Sequence, residues 1–189
     1  MFVNDYVNQL LKSKKRFEDD PDNFKVARWV TDGEGAILHM LGAAHTPQAS
    51  VEVGTANGWS ACWLASSEHS VYTFDTADRP KVYTDSGFEN FQRLIRFQPR
   101  ELLKEDLDKL KELDKKLYFI DGDHTSKGVK ANWRLVQPYL KPKDIVVFHD
   151  ATTEEGVVHF WLKLQETRAS DFHFQTFKTE RGIGVLRLK

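Results

Sequence analysis

The chain has 189 residues, the usual size of one domain and enough to bury a sizeable core. With 40% hydrophobic and 29% charged residues it has an ordinary globular balance, which excludes disorder, collagen and coiled-coil rods. Its 27 Lys and Arg against 28 Asp and Glu give a net charge of −1, so a domain built to track a nucleic-acid backbone is not expected.

The single Cys62 allows neither an intrachain disulfide nor a cysteine-rich zinc site, and a reducing compartment follows as the default. Asn4 and Asp5 fall where an export signal is apolar. No stretch approaches the roughly 18 apolar residues that span a bilayer. These features predict a cytoplasmic protein with no membrane partner.

In chain order, segments 1–20 and 24–44 read as helices, the second carrying Val26, Val30, Ile37, Met40 and Leu41 around Gly33 and Gly35. A short apolar strand, 50–53, runs into a glycine loop. A helix over 60–67 and a strand over 71–74 follow, and that strand ends in Asp75. Phe88, Phe91, Leu94 and Ile95 predict a helix over 88–97, and Leu103, Leu107 and Leu110 an amphipathic helix within 100–116. The strand 117–120 ends in Asp121, and the helix 126–140 carries Val129, Trp133, Val136 and Leu140 up to the stop at Pro142. The strand 145–148 runs into His149 and Asp150. A helix over 154–166 precedes an antiparallel pair, 172–177 and 183–188.

Alternating helices and continuous apolar strands predict an α/β, doubly wound, mostly parallel sheet covered on both faces. Ligands of such sheets bind beyond the carboxyl ends of the strands. Asp75, Asp121, Asp150 and the Gly54 loop all stand at such ends, so four strand ends converge on one site. His45, His69, His159 and His173 have no companions at ligand spacing and read as structural or surface residues. Trp59 and Trp63 read as packing of the helix onto the sheet. The Lys/Glu run 104–116 reads as a solvated helix face, and Lys12, Lys14, Lys15 and Arg16 do not make a nucleic-acid site.

The loop Glu52-Val53-Gly54-Thr55-Ala56-Asn57-Gly58 opens a helix near Ser60, and its glycines permit positive φ and close approach of a ligand. Asp75, at the end of the next strand, is placed to accept the two hydroxyls of a ribose. An acid two residues before the first glycine would repel a pyrophosphate but suits a sulfonium or ammonium cofactor. This E-x-G-x-x-x-G pattern resembles motif I of the class I S-adenosylmethionine-dependent methyltransferases. Further on, Asp121-Gly122-Asp123-His124, then Leu140-Lys141-Pro142-Lys143-Asp144, Phe148-His149-Asp150 and Gly182-Ile183-Gly184-Val185-Leu186 resemble the small-molecule O-methyltransferase subgroup. That subgroup's turn has glycines where Lys143 and Asp144 stand here. The resemblance runs from about residue 34 to the C-terminus.

It implies a seven-stranded Rossmann-like sheet with an antiparallel C-terminal strand, a methyltransferase domain over 31–189, and an N-terminal helical extension over 1–30 serving as a lid or a dimer contact. Glu52, Gly54, Thr55, Asn57, Gly58, Ser60, Asp75 and Asp121 are then expected to bind S-adenosylmethionine, with adenine recognition around 98–101 left open. A hydroxyl needs its proton removed, or a metal to lower its pKa, before it attacks. His124 is the candidate general base beside Asp121 and Asp150, the alternative being that Asp123 and His124 cap the following helix. Carboxylates such as Asp121, Asp123 and Asp150 suit Mg²⁺. By the resemblance the metal set reads Asp121, His149 and Asp150, where an imidazole would favour a softer ion. The D-G-D-H turn replaces the N/D-P-P-Y/F motif of base-methylating enzymes, so the expected partner is a small-molecule methyl acceptor rather than nucleic acid. A homodimer is one way to complete the pocket. A nicotinamide-dependent oxidoreductase and a non-catalytic cofactor-binding module are the alternatives.

Overall fold

Helices α1 (Val3–Asp19) and α2 (Asp32–His45) lead into β1 (Ala49–Val53), α3 (Trp59–Ala65) and β2 (Ser70–Phe74). The short α4 (Glu89–Gln92) precedes β3 (Ile95–Gln98), followed by α5 (Lys104–Leu110) and β4 (Lys116–Ile120). Then come α6 (Ser126–Val136), β5 (Ile145–Phe148), α7 (Glu155–Arg168), β6 (Phe172–Phe177) and β7 (Ile183–Leu188). This computed structural model describes residues 3–19, 30–77, 82–84 and 88–189; the expected helical stretch at 24–29 lies outside them. Among the described residues no helix is long and apolar enough to cross a membrane.

The strands form one seven-stranded sheet in the order β3-β2-β1-β4-β5-β7-β6. β1 to β5 are mutually parallel, and β7 runs antiparallel to both β5 and β6. This is the class I methyltransferase sheet that the resemblance implied. Its central strands are buried on both faces, and β4 and β5 are apolar over Leu117–Ile120 and Ile145–Phe148. In β4, Leu117 and Phe119 join the layer of Leu10, Leu38, Trp59 and Trp63, while Tyr118 and Ile120 join that of Leu107, Val129, Trp133 and Phe160.

One expected element is wrong. Residues 88–97 do not form a helix: α4 is one turn, and Ile95–Gln98 is the edge strand β3, paired among the described residues with β2 alone. Phe88 and Phe91 are fully buried by that turn, so their helical spacing is genuine but local, and it masks the two-residue alternation of Ile95, Arg96 and Phe97 that follows. The charged helix also contracts to Lys104–Leu110, leaving Leu103 exposed just ahead of it.

From β1 the chain builds outward to β2 and β3, then crosses back to lay β4 on the other side of β1. Strand order therefore reverses between β1 and β4, and the loops leaving those two strands open a crevice at the carboxyl rim.

Candidate active site

The β1–α3 loop is shaped by its neighbours. Gly54 (φ +95°) donates its N–H to the Phe74 carbonyl at 2.9 Å, and a Cβ there would stand 2.0 Å from the Asp121 carbonyl oxygen. Only glycine fits that approach. Asp75, at the end of β2, anchors the loop: Oδ2 accepts the Ala56 N–H and Oδ1 the Ala77 N–H, both at 2.7 Å. Ala56 is itself held at φ +44°.

Beyond this loop lies a cavity of about 660 Å³. Of the residues singled out in the sequence, Gly54, Thr55, Asn57, Ser60, Asp75, Asp121 and His124 line it. Glu52, Gly58, His149 and Asp150 do not, and stand behind the wall. Ala56, Thr76, Leu102, Lys127 and Asn132 were not singled out and do line it; Glu101, the last residue of the stretch named for adenine recognition, lines it beside Leu102 in the loop after β3. Two buried polar atoms on the wall, Asn57 Nδ2 and Trp59 Nε1, have no hydrogen-bond partner among the described residues.

Glu52 is fully buried beneath the loop. Its Oε2 accepts from the Thr73 hydroxyl, which also bonds the Thr55 hydroxyl at 2.5 Å, and its Oε1 has no hydrogen-bond partner among the described residues. Burial pushes its carboxyl up to about 7, with Ser60 and Thr73 opposing and the charges of Asp121 and Asp75 adding to the rise. Glu52, expected to bind the cofactor, thus lies beneath the loop and not on the cavity wall.

At the ends of β4 and β5 two carboxylates and two imidazoles interlock. His124 Nε2 lies 3.1 Å from Asp121 Oδ1 and 3.5 Å from Asp150 Oδ2. His149 Nδ1 lies 3.1 Å from the same two oxygens, and its Nε2 lies 3.2 Å from Glu34 Oε2. Burial alone would lower the His149 pKa, but Asp121, Asp150 and Glu34 together push it up to about 12. The hydrogen bond to Asp121 raises His124 against its burial, with the charges of Asp121, Asp150 and Glu154 adding. For Asp150 burial works upward, but contact with His149 and His124 holds it below the ordinary carboxylate value. Asp150 also sits at φ +57°, a left-handed backbone costly for a side-chain-bearing residue and typical of functional positions.

Asp121, His124 and Asp150 each bring one ligand atom within 4.8 Å of the others, the spacing of a candidate metal site. His124 thus stands where the sequence placed His149. Asp123 does not cap α6: its Oδ1 accepts the Thr125 N–H at 2.9 Å, and Thr125 is the cap, accepting the Gly128 N–H at 3.0 Å. His69 is buried with Ser50 at 2.6 Å, at the opposite end of β1.

Sequence reasoning missed Glu34. Its only local signal is Thr31-x-x-Glu34, which marks a helix start and carries no hint of the rim.

A methyltransferase-domain family model matches residues 51–151, which span the loop, Asp75, Asp121, His124 and Asp150. The chain belongs to that family. It is a class I, S-adenosylmethionine-dependent methyltransferase domain. The Sinorhizobium fredii protein y4gI is 28% identical over 168 residues, covering 79% of this chain; the chain spans only 18% of the length of that curated relative. Among solved structures, the SAH-bound Podospora anserina methyltransferase PaMTH1 superposes with a TM-score of 0.68 at 15% identity, covering 96% of this chain and 88% of that one. The Bacillus cereus O-methyltransferase in complex with SAH gives 0.67 at 15% identity, with coverage of 98% and 91%. The Streptomyces achromogenes O-methyltransferase TomG, involved in tomaymycin synthesis and solved with SAM, gives 0.65 at 18%, with coverage of 96% and 89%. At these identities the likeness concerns the fold.

Proposed function

We propose that this methyltransferase domain moves the methyl group of S-adenosylmethionine to a hydroxyl oxygen of a small molecule. The observation that carries the reading is the rim cavity, which has the Gly54–Asn57 loop and Asp75 on one side and Asp121 and His124 on another. Unpartnered Asn57 Nδ2 and Trp59 Nε1 fit a ligand that offers hydrogen-bond acceptors. Asp75 keeps lone pairs beyond those used by Ala56 and Ala77, and these suit ribose hydroxyls. Asp75, Glu101, Asp121 and Asp123 against Lys127 and His124 give the wall a negative balance, favourable to a cationic donor.

Bound there, S-adenosylmethionine supplies a methyl group on a sulfonium whose sulfur leaves neutral. The protein's task is then alignment and activation of the acceptor. His124 directs Nε2–H at Asp121, so the neutral ring keeps its lone pair on Nδ1, the atom that takes the acceptor's proton. Asp121 stabilises the imidazolium so formed. Val30 lines the cavity, and Lys14 of α1 pairs with Asp32 at 2.8 Å and lies over the Trp59 ring, which suits α1 as a wall of the acceptor side.

Calorimetry with S-adenosylmethionine and S-adenosylhomocysteine tests the donor, with one-site binding expected. Absence of heat from both overturns it. A screen of hydroxylated metabolites, with and without chelator, tests the acceptor; methylation confined to nitrogen overturns the oxygen assignment.

A further inference from the structure

Asp121 and Asp150 end neighbouring parallel strands, and two carboxylates held that close need a positive charge between them. The chain supplies one. His149 is buried, and among the described residues both of its ring nitrogens face only carboxylate oxygens: Asp121 Oδ1 and Asp150 Oδ2 at Nδ1, Glu34 Oε2 at Nε2. An ionised carboxylate accepts hydrogen bonds and never donates them, so both nitrogens carry protons and the ring is a fixed imidazolium. Glu34 is what fixes it. Fully buried, its Oε2 accepts the Thr31 N–H and hydroxyl at 3.0 Å each, and its Oε1 accepts the Thr179 hydroxyl at 2.7 Å and the Arg181 N–H at 2.8 Å. That carboxylate cannot move without unseating the start of α2 or the β6–β7 turn.

We propose that His149, oriented by Glu34, is a built-in cation that holds Asp121 and Asp150 together in the place of a divalent metal ion. Both are positioning residues, acting on His124 through Asp121, and the inference rests on the reading of Asp121 and His124 as the reaction centre. The Asp121, His124 and Asp150 donors are right in type for a metal and wrong in charge. Asp121 Oδ1 and Asp150 Oδ2 already accept from His149 and face His124, and Arg181 Nη1 lies 3.4 Å from Asp150 Oδ1. His149 and Arg181 offset two of the three charges of Glu34, Asp121 and Asp150, so with His124 neutral the set keeps a single negative charge. A divalent ion would enter a set with that one charge left to offset and would sit against an immovable imidazolium.

Calorimetric titration of the apo-protein with MgCl2 and MnCl2, with no methyl donor present, tests this. The wild type is expected to give no saturable heat at millimolar ion. His149→Gln removes the charge and should create one site at least about tenfold tighter than any wild-type binding. That site should vanish in the His149→Gln, Asp150→Asn double variant, and His149→Lys should restore the non-binding behaviour. Saturable one-site binding to the wild type that disappears in Asp150→Asn overturns the proposal, as does unchanged affinity in His149→Gln. Should His149→Gln not fold, the wild-type titration decides alone. Glu34→Gln supplies the kinetic arm: kcat falls while the donor KM stays constant, and a parallel change in both argues for a merely structural role. Failure of the methyl-donor reading would appear in the donor calorimetry, which shares no reagent with the cation titration.

Discussion

Gly54 lies against Asp121 so closely that the ends of β1 and β4 share one van der Waals surface, a Cβ at position 54 meeting the Asp121 carbonyl oxygen at 2.0 Å. Strand order reverses between these two strands, and the loop leaving β1 must turn sharply at φ +95° to clear β4. One residue thus sets both the shape of the loop and the place of the acid facing it. Gly54→Ala combines a left-handed backbone with a backbone overlap, and should cost about 2–4 kcal/mol. Urea denaturation measures it. A cost below about 1 kcal/mol would mean that the loop retreats freely, and that the cavity wall is softer than its packing implies.

Asp75 has two duties, and they are separable. Its oxygens tie down the Ala56 and Ala77 amides, and the residue lines the cavity. Asp75→Ala should weaken S-adenosylmethionine binding by about 10–100-fold, through the lost hydrogen bonds and the loosened loop. Turnover at saturating donor should change far less, because Asp75 follows β2 and His124 follows β4, with β1 between them. A fall in kcat with unchanged donor affinity would move Asp75 to the acceptor side.

The pH dependence follows from His124. Asp121 raises its pKa above the ordinary 6.5. The base works only when neutral, so activity is low at acid pH and rises as pH climbs through that raised value. The acid limb of the kcat profile should therefore lie above 6.5. In Asp121→Asn the carboxylate charge is gone while burial remains, so the limb should move to lower pH as the rate falls about 10²–10⁴-fold. A limb that stays put in Asp121→Asn would remove His124 from the role of base.

What the sequence made legible was local. A continuous apolar strand closed by a carboxylate can be read from a few adjacent residues, and so the sequence alone places the Gly54 loop, Asp75 and Asp121 at the rim. The edge strand β3 escaped because it has only four residues and abuts a helical turn whose phenylalanines dominate the pattern. Glu34 escaped for another reason: it meets His149 across 115 positions of sequence and Arg181 across 147. No spacing rule reaches that far. His149 was legible as chemistry but not as direction, since the sequence cannot say that both ring nitrogens point at carboxylates.

Lys143 and Asp144, which depart from the glycines of the related turn, show how such a departure is held in place. Asp144 Oδ1 accepts the Lys116 N–H at 2.7 Å, while Oδ2 accepts the Lys141 N–H at 3.0 Å and pairs with the Lys116 ammonium at 3.1 Å. Both side chains are almost completely buried, and Lys116 Nζ also donates to the Leu113 carbonyl at 2.9 Å. The pair thus ties the start of β4 to the turn before β5, at the end of the sheet away from the cavity. Asp144→Ala strands a buried ammonium and should cost about 3–5 kcal/mol. Adding Lys116→Met removes the stranded charge and should recover much of that loss, since the desolvation cost of the ion pair disappears with it. Denaturation of the single and double variants measures the difference. Donor affinity should be unaltered in whichever variants fold, because neither residue reaches the rim. A double variant no more stable than Asp144→Ala would show that the two backbone amides held by Asp144, rather than the ion pair, carry the stability of this turn.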